Sequence, residues 1–197
     1  MNREEGRRTQ AEAADRGVRV IVMMGSDSDL PIMRECIDTL EEFGVRHEVV
    51  VTSAHRSLDR TVSIAREARD KGVRVIIAAA GGAAHLAGVV AAATVLPVIG
   101  VPCAGSALSG ADALYSTVQM PPGVPVACVG VNAARNAALL AVAILATSDP
   151  DLLARIDRYR ERLVRDVEAK HERVAQALAQ AGRGKATGMR EGRQGEA

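Results

Sequence analysis

Strand-like and helix-like runs alternate along this 197-residue chain, with five of the former. That alternation predicts an α/β fold, a parallel sheet with helices on both faces. Two further observations agree. The runs "VRVIVMM" (18–24) and "VRVIIAAA" (73–80) are apolar almost throughout, as strands covered on both sides are. Glycines also stand where the helical periodicities stop, at Gly44 and Gly72.

Residues 1–17, "MNREEGRRTQAEAADRG", are polar and lack the apolar centre of a secretory signal, so a disordered tail is expected. The first strand is 18–24. After "GSDSD", Met33, Ile37, Leu40 and Phe43 recur at helical spacing. "VRHEVVV" (45–51) is the second strand. A helix follows over 57–71, with Val62, Ala65 and Ala68 on one face. The third strand is 73–80, and "AHLAGVVAAAT" (84–94) is a helix of small residues. "LPVIGVP" (96–102) and "GVPVACVG" (123–130) are the fourth and fifth strands, and "NAARNAALLAVAILA" is the helix after them.

Composition narrows the functional classes. Apolar residues make up 48% and charged residues 25%, the balance of a soluble globular protein. One α/β catalytic domain over 18–148 is expected. A formal net charge of +1 gives no basic footprint for nucleic acid, and one Phe, two Tyr and no Trp give no stacking platform for bases. Cys36, Cys103 and Cys128 form no CxxC pair and no metal-ligand pattern. They read as reduced, buried thiols of a cytoplasmic protein. The stretch 75–111 carries no charged side chain and has the length of a membrane span. It is interrupted by Gly81, Gly82, His85, Gly88, Pro97, Gly100 and Pro102, which suits two buried strands and a short helix instead.

From Asp149 to Ala181 the chain is highly charged. Leu152, Ile156, Leu163, Val167, Val174 and Leu178 recur at helical, partly heptad-like spacing. Pro150 suits the first turn and Gly182 the stop. Such a helix is about 45 Å long, more than the width of the domain, so packing on a neighbouring subunit is expected. The other reading is a solvated helix that frays after about Asp166. Residues 182–197 read as a second disordered tail.

In parallel sheets, ligands collect at the carboxyl ends of the strands, so three loops carry the functional reading. In "GSDSDLP" (25–31), Ser26, Ser28 and Asp29 are helix-capping types and Pro31 fits a first turn. Free backbone N–H groups and serine hydroxyls at this helix N-terminus can also bind an anion, with Asp29 on sugar hydroxyls. The loop is neither a Walker loop nor GxGxxG. In "SAHRS" (53–57), Ser57 can cap the next helix and His55 can be a solvated turn residue. Arg56, however, offers a planar fork of donors suited to a phosphate. In "AAGGAAHLAG" (79–88), paired glycines let a ligand lie against the backbone. His85 there is either a core histidine or a site group. Together the loops hold phosphate-binding and proton-transfer groups, without a metal cluster, a Ser/His/Asp order or a redox fingerprint. They point to proton-transfer chemistry on a small phosphorylated metabolite.

The motifs "GSDSD", "SAHR", "AGGAAHLAG", "LPVIGVP", "VQMPPGVPVA" and "NAALLA" occur in this order at matching separations. In these the chain resembles the PurE family, the N5-carboxyaminoimidazole ribonucleotide mutases of de novo purine (IMP) biosynthesis, over about Val18 to Leu145. The resemblance implies a flavodoxin-like three-layer αβα sandwich with a five-stranded parallel sheet, preceding the long C-terminal helix. It implies a cytoplasmic homo-octamer, no membrane or nucleic-acid partner, and a phosphorylated ribonucleotide substrate. The implied activity is an isomerase (mutase) reaction yielding 4-carboxyaminoimidazole ribonucleotide without metal or organic cofactor. Carried over by position, Ser26, Asp29 and Arg56 match substrate-binding residues, with Ser28 and Ser53 nearby. His55 matches the catalytic histidine. His85, grouped with it as catalytic, and Gly81, Gly82, Ala83 and Leu86 match the loop around the imidazole and the carboxyl group in transit.

The implied mechanism has His55 as general acid in decarboxylation and as general base after the trapped CO2 is attacked by carbon 4. An imidazole, with a reference pKa of about 6.5, suits both tasks. The family's second branch carboxylates aminoimidazole ribonucleotide with free CO2 and carries lysine after the histidine. Arg56 favours the mutase branch. The sequence departs from the family pattern at Ser57 and Leu58 ("SAHRSL" for "SAHRTP"), at Ala87 for proline, Ala113 for serine and Leu30 for tryptophan. Leu58 and Ala87, each in place of a proline, bear on loop stiffness, and none of the departures removes a group that performs chemistry. Two other readings stand beside the mutase: the free-CO2 carboxylase, and a non-catalytic nucleotide-binding module on the same fold.

Overall fold

The structure, a computed structural model, describes residues 17–191, with side chains of the last helix described as far as residue 179. Of the disordered tails expected over residues 1–17 and 182–197, residues 1–16 and 192–197 lie outside the described residues, whereas 182–191 belong to the last helix. The chain divides into two compact units, Met1–Leu153 and Ala154–Ala197.

The first unit is built on five strands: β1 (Val20–Met24), β2 (His47–Val51), β3 (Val75–Gly81), β4 (Val98–Cys103) and β5 (Ala127–Cys128). All pairings are parallel, in the order β2-β1-β3-β4-β5. This is the flavodoxin-like order, reached when the chain winds one way from β1 and then the other. Between the strands run α1 (Leu30–Glu42), α2 (Leu58–Glu67), α3 (Leu86–Ala93) and α4 (Ala111–Val118), and α5 (Ala134–Ala146) follows β5.

The side-chain alternation of a strand sends neighbours to opposite faces. On one face Ile21, Met23, Ile76 and Ala78 cluster with Ala65 and Ala68 beyond or within α2 and with Leu86, Ala87 and Val90 of α3. On the other face α1 packs against α5, and α5 against β3 and β4. Ala134, Ala137, Ala138 and Ala141 of α5 are fully buried, because small side chains let the helix lie close to its neighbours. Val20, Val22, Val75, Ile76 and Ile77 are also fully buried. Each contributes about 1.5–3 kcal/mol of transfer free energy. α1 ends as expected at Gly44, whose φ of 62° lets the Val45 N–H reach the Leu40 carbonyl at 2.8 Å.

Three differences from the sequence expectation are physical. β5 covers two residues rather than the eight of 123–130, since Pro125 lacks the N–H a ladder needs and the strand lies at the sheet edge. α4 was not expected at all. Its buried residues are Ala113 and Thr117, while Tyr115 and Val118 are exposed, so it carries no apolar face to read. The last helix, α6 (Pro150–Glu191), starts at Pro150 as expected but runs past Gly182. A single glycine costs a helix about 1 kcal/mol relative to alanine and does not by itself end it. Among the described residues, no helix is long and apolar enough to cross a membrane.

β4 and α4 meet at Gly100. A Cβ there would overlap Thr117 Cγ2 and lie 3.0 Å from Val126 Cγ1. Gly100→Ala should destabilise the fold by about 1–3 kcal/mol. Thermal unfolding measures this; an unchanged Tm would show that α4 yields without cost.

Candidate active site

The register brings three strand ends level. Met24 pairs with Val51 on one side and with Ala79 on the other. The loops that leave β1, β2 and β3 therefore start side by side. Backbone bonds hold them together: Gly25 N–H donates to the Ala79 carbonyl and Thr52 N–H to the Met24 carbonyl, both at 2.9 Å.

The first loop becomes a single 3₁₀ turn, Asp27–Asp29, ahead of α1. Ser26 and Asp29 form a capping box. Ser26 Oγ accepts from the Ser28 N–H at 3.3 Å, and Asp29 Oδ2 accepts from the Ser26 N–H at 3.1 Å. Ser28 Oγ donates to Ser26 Oγ at 2.9 Å. Capping fixes the turn and takes up the Ser26 and Ser28 N–H groups that were expected to be free for an anion, while Ser26, Ser28 and Asp29 still border the cavity. Asp29 is buried, and burial holds its carboxyl above the usual carboxylate range against the opposing pull of the Ser26 and Gly25 N–H groups.

The second loop places His55 and Arg56 by means of Ser53. Ser53 Oγ accepts from the His55 N–H at 3.3 Å and the Arg56 N–H at 3.2 Å. Both His55 and Arg56 are exposed. The Arg56 guanidinium has no acidic partner among the described residues. Ser57 occupies the N-cap of α2 but its side chain makes no capping bond. It accepts instead from the Ser53 N–H at 2.9 Å, back inside the loop.

The third loop turns at Gly82, whose φ of 58° is one that side-chain-bearing residues rarely adopt. The turn delivers His85 to the N-cap of α3. His85 is exposed rather than a core histidine. Its Nδ1 lies 2.8 Å from His55 Nε2, with the rings edge to face at 83°. One of these two nitrogens carries the proton and the other accepts it.

A cavity of about 330 Å³ opens between the loops. Ser26, Ser28 and Asp29 line it from the first loop, and Ser53, His55 and Arg56 from the second. Gly81, Gly82, Ala83, His85 and Leu86 line it from the third. Every residue singled out from the sequence therefore borders one space. Sequence reasoning missed Gly25, Ala54, Ala80, Gly105 and Ser106. The last two follow β4, and the rule about strand carboxyl ends would have found them had it been applied to "CAGSALSG". Ser106 Oγ donates to Asp112 Oδ1 at 2.9 Å, which ties that loop to α4. Among the described residues no group of His, Cys, Asp and Glu is arranged to hold a metal ion.

Cys36 and Cys103 are buried, and burial pushes both thiols up to about 12. Cys128, half-buried, is raised for the same reason. The burial expected of all three cysteines is found at Cys36 and Cys103, while Cys128 is only half-buried.

A parallel α/β sheet whose carboxyl edge carries a capped turn, an exposed guanidinium and a histidine pair is a flavodoxin-like fold with a candidate small-molecule site. The AIR carboxylase family (AIRC) matches residues 19–166, and the chain belongs to that family. It is 51% identical to the N5-carboxyaminoimidazole ribonucleotide mutase of Thermotoga maritima over 158 residues, 80% of this chain and 92% of the relative. It is 53% identical over 161 residues to the protein of that name from Mycobacterium tuberculosis, covering 82% of this chain and 92% of the relative. The phosphoribosylaminoimidazole carboxylase of Schizosaccharomyces pombe is 52% identical over 153 residues, but these make up only 28% of its length. The crystal structure of Treponema denticola PurE superposes with a TM-score of 0.69 at 30% identity, covering 75% of this chain and 92% of that one.

Asp29→Asn keeps an acceptor for the Ser26 N–H and removes a buried charge. Because the folded-state pKa is raised, the parent bears the full cost of ionised Asp29 above that pKa. The cost is relieved as pH falls through it towards 3.8. The variant should thus unfold at a Tm no lower than the parent's at pH 7, with its relative advantage shrinking on acidification. A variant less stable at pH 7 would contradict this.

Proposed function

We propose that this protein is an isomerase of purine biosynthesis that converts N5-carboxyaminoimidazole ribonucleotide to 4-carboxyaminoimidazole ribonucleotide. The observation that carries the reading is the His55–His85 hydrogen bond beside Arg56 in one cavity. It occurs in a chain more than half identical to proteins named as that mutase.

In this reading the substrate phosphate lies against Arg56 and the hydroxyls of Ser26, Ser28 and Ser53. Arg56 supplies a charge-assisted fork, which is why the cation stands free at the loop. Asp29 takes ribose hydroxyls. Gly81, Gly82 and Ala83 form a floor of small residues for the imidazole, bordered by Leu86. His55 donates a proton to the carbamate nitrogen as its bond to the carboxyl carbon breaks, leaving the aminoimidazole and CO2. Carbon 4 attacks the CO2, and its proton returns to His55. The proton is therefore conserved, and the reaction as written calls for no metal or organic cofactor. His85 fixes the His55 ring through its Nδ1 and faces the carboxyl group in transit. Retaining CO2 beside the imidazole turns a bimolecular capture into a local one. A cytoplasmic homo-octamer is part of the same proposal.

The free-CO2 carboxylase is the second reading, because relatives named phosphoribosylaminoimidazole carboxylase are equally similar over the shared region. Arg56, in place of lysine, favours the mutase. Incubating the protein with each nucleotide, with and without bicarbonate, separates the two. The mutase converts the N5-carboxylated nucleotide without added bicarbonate; the carboxylase converts only aminoimidazole ribonucleotide plus bicarbonate. Retained nucleotide binding with neither conversion would indicate a binding module.

His55→Asn should lower turnover by about 10²–10⁴-fold while leaving substrate affinity nearly unchanged. Isothermal titration and a kinetic assay check the two halves, and near-normal turnover would remove His55 from the mechanism. Arg56→Ala should instead act on KM, raising it by about ten- to a hundredfold, the worth of a charge-assisted hydrogen bond.

A further inference from the structure

Directly beneath the loop that carries His55 and Arg56 lies a knot of hydroxyl groups that plays no part in binding or proton transfer. Thr52 and Thr61 are 3% and 0% exposed. Thr52 Oγ1 lies 2.8 Å from Thr61 Oγ1 and 3.1 Å from Ser57 Oγ. Thr52 ends the β2 side of the loop, while Ser57 and Thr61 stand one turn apart at the start of α2. The knot thus joins the strand to the helix across the base of the loop.

Its remaining bonds converge on one residue. The Ser53 carbonyl accepts from Ser57 N–H at 3.0 Å, Ser57 Oγ at 3.2 Å and Thr61 Oγ1 at 3.3 Å. The Ser53 N–H donates to Ser57 Oγ at 2.9 Å. Both backbone polar groups of Ser53 are therefore fixed from below. Its side chain faces the other way and accepts the backbone N–H groups of His55 and Arg56. No buried side-chain polar atom in the described structure lacks a partner, so the network is closed. Closed buried networks are rigid and specify one geometry.

We propose that Thr52, Ser57 and Thr61 are positioning residues that act through Ser53 to hold the His55 imidazole and the Arg56 guanidinium in register with the substrate. The inference rests on the mutase reading for its assay but assigns a role to residues that reading does not use. Thr61 is the keystone. It does not line the cavity, and its hydroxyl reaches Thr52, Ser53 and the Ser57 carbonyl. Thr61→Val keeps the shape and removes the hydroxyl, whereas Thr61→Ser keeps the hydroxyl and removes a methyl group.

The test compares both variants with the parent in steady-state mutase kinetics and thermal unfolding. Thr61→Val should lose about tenfold in kcat, because a small misplacement of a catalytic group is amplified in rate. Thr61→Ser should retain kcat within about twofold, although its lost methyl group lowers Tm as well. Activity that follows Tm rather than the hydroxyl, with serine as poor as valine, overturns the proposal. So does a valine variant with unchanged kcat. An inactive parent would instead refute the mutase reading, and the two failures are thus distinguishable. Should Thr61→Val fail to fold, Ser57→Ala provides the same comparison against Ser57→Thr.

Discussion

The parallel register of β1 with both of its neighbours is the constraint on which the site depends. Because Met24 lies level with Val51 and Ala79, three loops leave the sheet at one edge and in reach of each other. Ile21, Met23, Ile76 and Ala78 pack into one buried cluster while Val20, Val22, Val75 and Ile77 are buried as well, so side-chain fit against the helices on both faces holds this register. The hydrophobic effect in the core thereby sets the distance between His55 and His85, thirty residues apart in sequence.

The three loops are rigid for different reasons. The first is held by a capping box and by Asp29, whose buried carboxyl accepts N–H groups at an electrostatic cost. The second is tied to the strand and helix through hydroxyls. The third turns on the backbone freedom of Gly82 and presents His85 at the start of a helix. Polar groups satisfied within each loop leave the Arg56 head and the histidine ring edges for a ligand. Such an arrangement is pre-organised, which lowers the reorganisation required when a substrate binds.

Much of this was legible because it is written in local patterns. Buried parallel strands show as continuous apolar runs, and strand-end loops show as clusters of Gly, Ser, Asp and His. The sheet and the loops that border the cavity followed from those signals, while the roles proposed for their residues came from the family resemblance. What was not legible depends on partners distant in sequence. α4 buries only Ala113 and Thr117, and Thr117 sits in the space that Gly100 vacates on β4. Ser57 looks like a helix cap, but its hydroxyl is drawn to the Ser53 N–H. The His55–His85 contact required the sheet order. Gly105 and Ser106 join the cavity from a fourth strand end that carries neither a charge nor a histidine to mark it.

The central claim is that the carboxyl group leaves one atom of the substrate and rejoins another without escaping. The direct measurement is a single turnover with N5-carboxyaminoimidazole ribonucleotide labelled with ¹³C in the carboxyl group, in excess unlabelled bicarbonate, with the product read by NMR. The account predicts that 4-carboxyaminoimidazole ribonucleotide forms with the label retained at its new carboxylate. Product carrying the unlabelled carbon of the medium, or no product, would contradict it.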